Sequence, residues 1–155
     1  MGYPVRFLGT VTATAVFCIC GWGQSDKPDL SGNWQLDAGK SDMQINRFSD
    51  LKLTISEKDG KINITQAEKL ADGKERKVTY NCPTNGADCT VPETGAKASF
   101  WYNGPMLVNM ETEKKGGSVI RERLKLSPDN KLLTMEISNL VPASDKVDKL
   151  VLQKQ

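Results

Sequence analysis

The 155-residue chain contains no histidine. That removes the commonest general base near neutral pH, the Ser-His-Asp and Cys-His nucleophile systems, and the zinc and non-haem iron sites that need imidazole. Cysteine is nearly as scarce, with four residues, and two of them, Cys18 and Cys20, fall in an apolar N-terminal run. Neither sign of charge dominates: 21 Lys and Arg face 19 Asp and Glu, a net +2 that gives no strong field toward nucleic acid or an anionic membrane. No glycine-rich loop is placed to cradle phosphate, because Gly116-Gly117 lies between two strand-like segments and lacks the following helix such sites depend on. A carboxylate pair or a Ser-Lys pair is what remains for catalysis. Nineteen scattered acidic residues make chance carboxylate pairs uninformative. The chain reads as a non-enzyme without a cofactor or metal.

Hydrophobic residues are 38% and charged residues 26% of the chain, ordinary for a globular domain and far from the disordered regime. The N-terminus differs. After Met1 to Arg6 comes an uncharged run from Phe7 to Cys20, too short to span a bilayer comfortably, followed by Gly21 and Gly23 in a small-x-small arrangement. We read residues 1–23 as a secretory signal peptide, 24–29 as a polar linker containing Pro28, and 30–155 as one domain. Phe17 and Ile19 directly precede Cys18 and Cys20, where lipidation wants a small residue. The expectation is an exported protein, periplasmic or secreted, that is monomeric and has no membrane contact once the leader is cleaved.

Without residues 1–23 the chain keeps only Cys82 and Cys89, in the stretch YNCPTNGADC. An oxidising compartment and an even count predict a disulfide between them. Zinc needs about four ligands, and a thioredoxin-type pair wants two intervening residues. The Asn85-Gly86 between them predicts a hairpin tip with the cysteines facing each other across the strands.

Turn signals recur at short, even intervals from Leu30 onward: Lys58-Asp59-Gly60, Ala71-Asp72-Gly73, Asn85-Gly86, Thr94-Gly95, Asn103-Gly104, Lys115-Gly116-Gly117 and Ser127-Pro128-Asp129-Asn130. Between them the apolar residues alternate with period two: Leu51, Leu53 and Ile55; Ile62 and Ile64; Met106, Val108 and Met110; Ile120, Leu124 and Leu126; Leu133, Met135 and Ile137. No stretch shows a convincing helical spacing; the best candidate is the short connection Gly39 to Phe48, for which a loop or a single turn is the alternative. Many short strands joined by tight turns predict an all-β fold, an antiparallel up-and-down meander closed into a barrel of about eight to ten strands.

A barrel of that size is filled by side chains or holds one small ligand. By parity Phe100 and Tyr102 share a face with the small Ala96 and Ala98, which would leave room inside. Glu122 falls on the Ile120 and Leu124 face, where a carboxylate has to be paired or wet. The expected ligand-contacting residues are Phe100, Tyr102, Met110, Glu122 and Leu124, around a small hydrophobic ligand. Asn63-Ile64-Thr65 matches a glycosylation sequon within a strand and is not read as a modification site.

Leu30-Ser31-Gly32-Asn33-Trp34-Gln35-Leu36-Asp37, with Lys40-Ser41-Asp42, Trp101-Tyr102-Asn103-Gly104 and Leu126-Ser127-Pro128-Asp129-Asn130-Lys131-Leu132, resembles a group of secreted bacterial lipocalin-like barrel proteins. The resemblance implies structural roles for Gly32 and Trp34, the Trp closing the bottom of the barrel against a cationic partner for which Arg121 and Arg123 are candidates. It also implies binding of a small ligand. A second resemblance, to periplasmic inhibitors of bacterial metalloproteases, implies instead that Gln24 to Leu30 forms a trunk inserted into a protease cleft. A third reading is an envelope protein-interaction module.

Overall fold

The computed structural model describes residues 27–155. The expected leader, residues 1–23, lies outside the described residues, as do residues 24–26 of the expected linker. Eleven strands run in chain order: β1 (Gly32–Leu36), β2 (Asp42–Met43), β3 (Phe48–Lys58), β4 (Lys61–Leu70), β5 (Glu75–Pro83), β6 (Asn85–Thr90), β7 (Lys97–Asn103), β8 (Met106–Thr112), β9 (Val119–Leu126), β10 (Leu132–Val141) and β11 (Ala143–Lys154). Ten form a continuous antiparallel ladder in the order β5-β4-β3-β1-β11-β10-β9-β8-β7-β6, and the two-residue β2 pairs with β11. This is the expected all-β up-and-down barrel. β1 joins the two arms by pairing with both β3 and β11.

Of the alternatives for Gly39 to Phe48, the structure takes the loop with a single turn at its start rather than a helix. Among the described residues there is no α-helix, only a 3₁₀ turn, Ala38–Lys40, capped by the Asp37 carboxylate on the Gly39 amide. What organises the rest of this connection is a buried carboxylate. Asp148 on β11 accepts backbone N–H groups from Ile45 at 2.6 Å and Asn46 at 3.2 Å, fixing a segment too short for a helix.

Several tight turns form where the sequence places them. Between β3 and β4 the connection is Asp59-Gly60, both with positive φ (52° and 72°), the geometry whose twist matches a hairpin. Gly104, at φ 58°, begins the two-residue connection from β7 to β8.

Asn85-Gly86 behaves differently from the expectation. The chain bends at Thr84, and β6 starts at once with Asn85, laddering with β7 rather than folding back on β5. β5 and β6 are therefore the two ends of the ladder, and they meet at a seam without strand pairing. Cys82 and Cys89 bridge that seam as the expected disulfide, with Cα atoms 5.5 Å apart. The reason lies in Gly86, whose φ of 84° falls within a register shift between Asn85 and Asp88: its freedom goes into a bulge of β6, not into a turn.

The interior is unequally filled. At the end carrying the β3–β4, β7–β8 and β9–β10 turns, Trp34, Leu53, Ile62, Ile64, Phe100, Leu107, Leu124, Leu133 and Met135 are fully buried and pack into one core. Trp34, 1% exposed, donates its indole N–H to the Leu30 carbonyl at 3.0 Å. Its cationic neighbour is Lys154, whose ammonium lies 5.2 Å from the ring. Arg121 and Arg123 do not take that role, since they alternate with the inward Ile120, Glu122 and Leu124 on β9 and so face outward. Gly32 makes room for the lysine: with φ 139°, a Cβ there would stand 2.9 Å from Lys154 Cε.

Residues 27–30 lie against the same end. Lys27 forms an ion pair with Glu57 and sits 4.5 Å over the Tyr102 ring, and Leu30 is buried. This segment of the proposed trunk is folded onto the barrel base.

Candidate functional site

The opposite end of the barrel is hollow. A cavity of about 410 Å³ opens among the β4–β5, β6–β7, β8–β9 and β10–β11 connections and the segment preceding β3. Such a volume is within the range that holds a small organic molecule.

Its walls follow from strand parity. On β4 the inward series begins with Ile62 and Ile64 and continues through Gln66 and Glu68, both buried; on β5 it runs Cys82, Tyr80, Val78, Arg76 toward the mouth. On β9 it is Leu124, Glu122, Ile120. β4 and β5 are thus apolar at the base and polar or charged at the mouth, while β9 sets Glu122 between two apolar residues.

β8 corrects the expectation that Met106, Val108 and Met110 face the core. The inward series is Leu107, Asn109 and Glu111, since Leu107 pairs with Leu124 and Asn109 with Glu122 across the ladder. Alternation in hydrophobicity reports the inward face only where the interior is apolar, and here Glu111 lines a polar cavity and Asn109 bonds to Glu122 on its wall.

The polar groups form four pairs. Asn109, fully buried, donates its side-chain N–H to Glu122 Oε2 at 3.0 Å. The Tyr80 hydroxyl donates to Glu111 Oε2 at 2.6 Å. Arg76 pairs with the buried Glu68, and Arg47 donates to Asn139 Oδ1 at 3.1 Å. Phe48, Leu70, Val78, Ile120 and Val141 supply the apolar part of the lining.

Electrostatics follow from burial. Glu122 is 4% exposed, and desolvation pushes its carboxyl from the ordinary 4.5 up to about 7. The Asn109 hydrogen bond opposes that rise, Glu111 adds to it, Arg47 opposes it and Glu68 adds again. Burial, reinforced by the charges of Glu122 and Glu111, raises the Tyr80 phenol above its ordinary range, so it stays a neutral donor.

Of the five residues expected at the ligand, Glu122 alone is on the cavity lining. Phe100 and Leu124 are buried in the packed core, Phe100 meeting Tyr80 edge-to-face with ring centroids 5.4 Å apart. Tyr102 is at the base, donating to Glu57 Oε2 at 2.8 Å. Met110 pairs with Ser99 and Arg121 on the outward face of its strands. The residues not anticipated are Glu68, Arg76, Tyr80, Asn109 and Glu111. Continuing the parity of Ile62 and Ile64 along β4, or starting β8 from Leu107, would have found most of them. Among the described residues no group of three or more Asp, Glu or Cys side chains is arranged to hold a metal ion.

No family model and no curated protein sequence matches the chain. Among solved structures, the barrel is similar to that of the fluorescent protein UnaG, with a TM-score of 0.57 and 16% identity over 81% of this chain and 96% of that one. At that identity the likeness is one of fold, a lipocalin-like barrel.

Proposed function

We propose that this protein is an exported, non-enzymatic barrel that binds a small molecule at its hollow end, in the manner expected of a lipocalin-like carrier or receptor. The observation that carries the reading is the division of the interior: a packed apolar base below a cavity of about 410 Å³ lined by both apolar and charged side chains. A barrel that needed only to be stable would gain by filling that space, because empty volume forgoes packing and buried carboxylates are costly. The lining modifies the earlier expectation of a purely hydrophobic ligand. Glu68, Glu111, Glu122, Arg47 and Arg76 beside Phe48, Val78 and Ile120 suit an amphipathic one. The non-enzymatic part of the reading rests on the missing histidine and on the commitment of both domain cysteines to a disulfide.

Native mass spectrometry of the protein purified from its own host tests this. The expected result is a co-purifying mass that leaves on denaturation. An adduct-free protein whose melting temperature and tryptophan fluorescence are unmoved by a library of small amphiphiles refutes it.

A further inference from the structure

The cavity's charges do not balance. Four glutamates, Glu68, Glu111, Glu113 and Glu122, face it together with two arginines, Arg47 and Arg76. Arg76 is engaged by Glu68, and Arg47 donates to the Asn139 carbonyl oxygen. Glu111 and Glu122 are each met only by a neutral donor, the Tyr80 hydroxyl and the Asn109 amide, and neither takes part in an ion pair among the described residues.

These two carboxylates are neighbours. Asn109 is directly opposite Glu122 on the β8–β9 ladder and Glu111 is opposite Ile120, so Glu111 and Glu122 are diagonal partners on one inward face. Diagonal positions are about 7 to 8 Å apart at the backbone, close enough for two glutamates to reach a common atom. Asn109, fully buried and off the cavity lining, holds Glu122 from behind through its side-chain N–H.

Resting on the ligand-binding reading above, we propose that the occupant is a small organic cation, a primary amine whose ammonium group sits between Glu111 and Glu122 while its apolar body lies along Phe48, Val78 and Ile120. The match is one of sign: an ammonium group has N–H donors and no acceptor, and this corner of the cavity presents two carboxylates, each met by a neutral donor alone. A carboxylate ligand would add negative charge beside Glu68, Glu111 and Glu122, with Arg76 already paired to Glu68. A bare metal ion is disfavoured because no group of three or more Asp, Glu or Cys side chains among the described residues is placed to hold one. A larger cation with an apolar body fills the remaining volume.

Three probes of nearly equal shape, 2-phenylethylamine, 2-phenylethanol and 3-phenylpropionate, test this by titration calorimetry on the unmodified protein near neutral pH. The amine should bind at least about tenfold more tightly than the alcohol, the ratio expected for charge-assisted hydrogen bonds in a desolvated site, and the acid most weakly. Glu111→Gln and Glu122→Gln should each weaken amine binding about tenfold while leaving alcohol binding unchanged. Glu57→Gln at the base should leave amine binding as it was. Equal binding of amine and alcohol, or preference for the acid, overturns the cation assignment and leaves the ligand-binding reading standing. Failure of all three probes to bind, with the amphiphile library also inert, overturns both.

Discussion

Replacing Glu122 by Gln should make this protein more stable at alkaline pH and leave it unchanged in acid. Glu122 is buried, and its carboxyl titrates near 7 when folded against about 4.5 when unfolded. Folding therefore takes up a proton between those values. The favourable contribution is complete below about pH 4.5 and lost as pH rises through about 7, with a full amplitude of about 3 kcal/mol. Glutamine keeps an oxygen to accept from Asn109 but has no charge to desolvate. The parent's penalty at about pH 9 should thus be absent in the variant, a melting-temperature advantage of roughly 10 °C for a domain of this size. The other charged and phenolic groups facing the cavity, Glu68, Arg76, Tyr80, Glu111 and Arg47, are common to both proteins and largely cancel in the difference. Urea unfolding of parent and variant from about pH 4 to about pH 9 gives that difference directly. Curves that run parallel, offset by a constant, would show that Glu122 is ionised at an ordinary pKa, and the account of the cavity as a desolvated acidic corner would fail.

Replacing both Cys82 and Cys89 by Ser should cost about 2 to 2.5 kcal/mol, the loop-entropy value for so short a closure, without abolishing folding; an unchanged urea midpoint refutes the staple. Trp34→Ala should cost about 3 to 5 kcal/mol, since it empties a fully buried site and frees the Leu30 carbonyl, and a loss below about 1 kcal/mol in urea unfolding would contradict the packed base. Tyr80→Phe removes the donor to Glu111 and should destabilise by about 1 to 2 kcal/mol, read by the same assay, while retaining the edge-to-face packing on Phe100.

Where a strand's inner face is apolar, period two identified it, as with Leu51, Leu53 and Ile55 or Leu133, Met135 and Ile137. Turn chemistry worked wherever positive φ serves a reversal, as at Asp59-Gly60 and Gly104. Both signals failed for definite reasons. On β8 the inward face is polar because Glu111 lines the cavity and Asn109 serves Glu122 behind it, so the apolar stripe of Met106, Val108 and Met110 pointed to the wrong face. At Asn85-Gly86 the same dipeptide that turns a hairpin is used for a bulge, and local sequence does not distinguish the two. The candidate site was legible only through Glu122, a charged residue on a predicted core face. Its partners come from β4, β5 and β8, and their meeting depends on barrel closure, which local periodicity does not encode.

The seam between β5 and β6 carries a liability for anyone making this protein. Every other neighbouring pair of strands in the ring is laddered, whereas these two edges keep backbone donors and acceptors unmatched by each other, and the Cys82–Cys89 bond is the covalent tie between them. Unpaired edges are templates for another chain. In a reducing compartment the tie would be missing, and two such edges on each molecule would be free to part and pair with those of its neighbours. Material produced there should assemble edge to edge, while material that has passed through an oxidising compartment should stay apart, so the solubility of the barrel depends on where it is allowed to close.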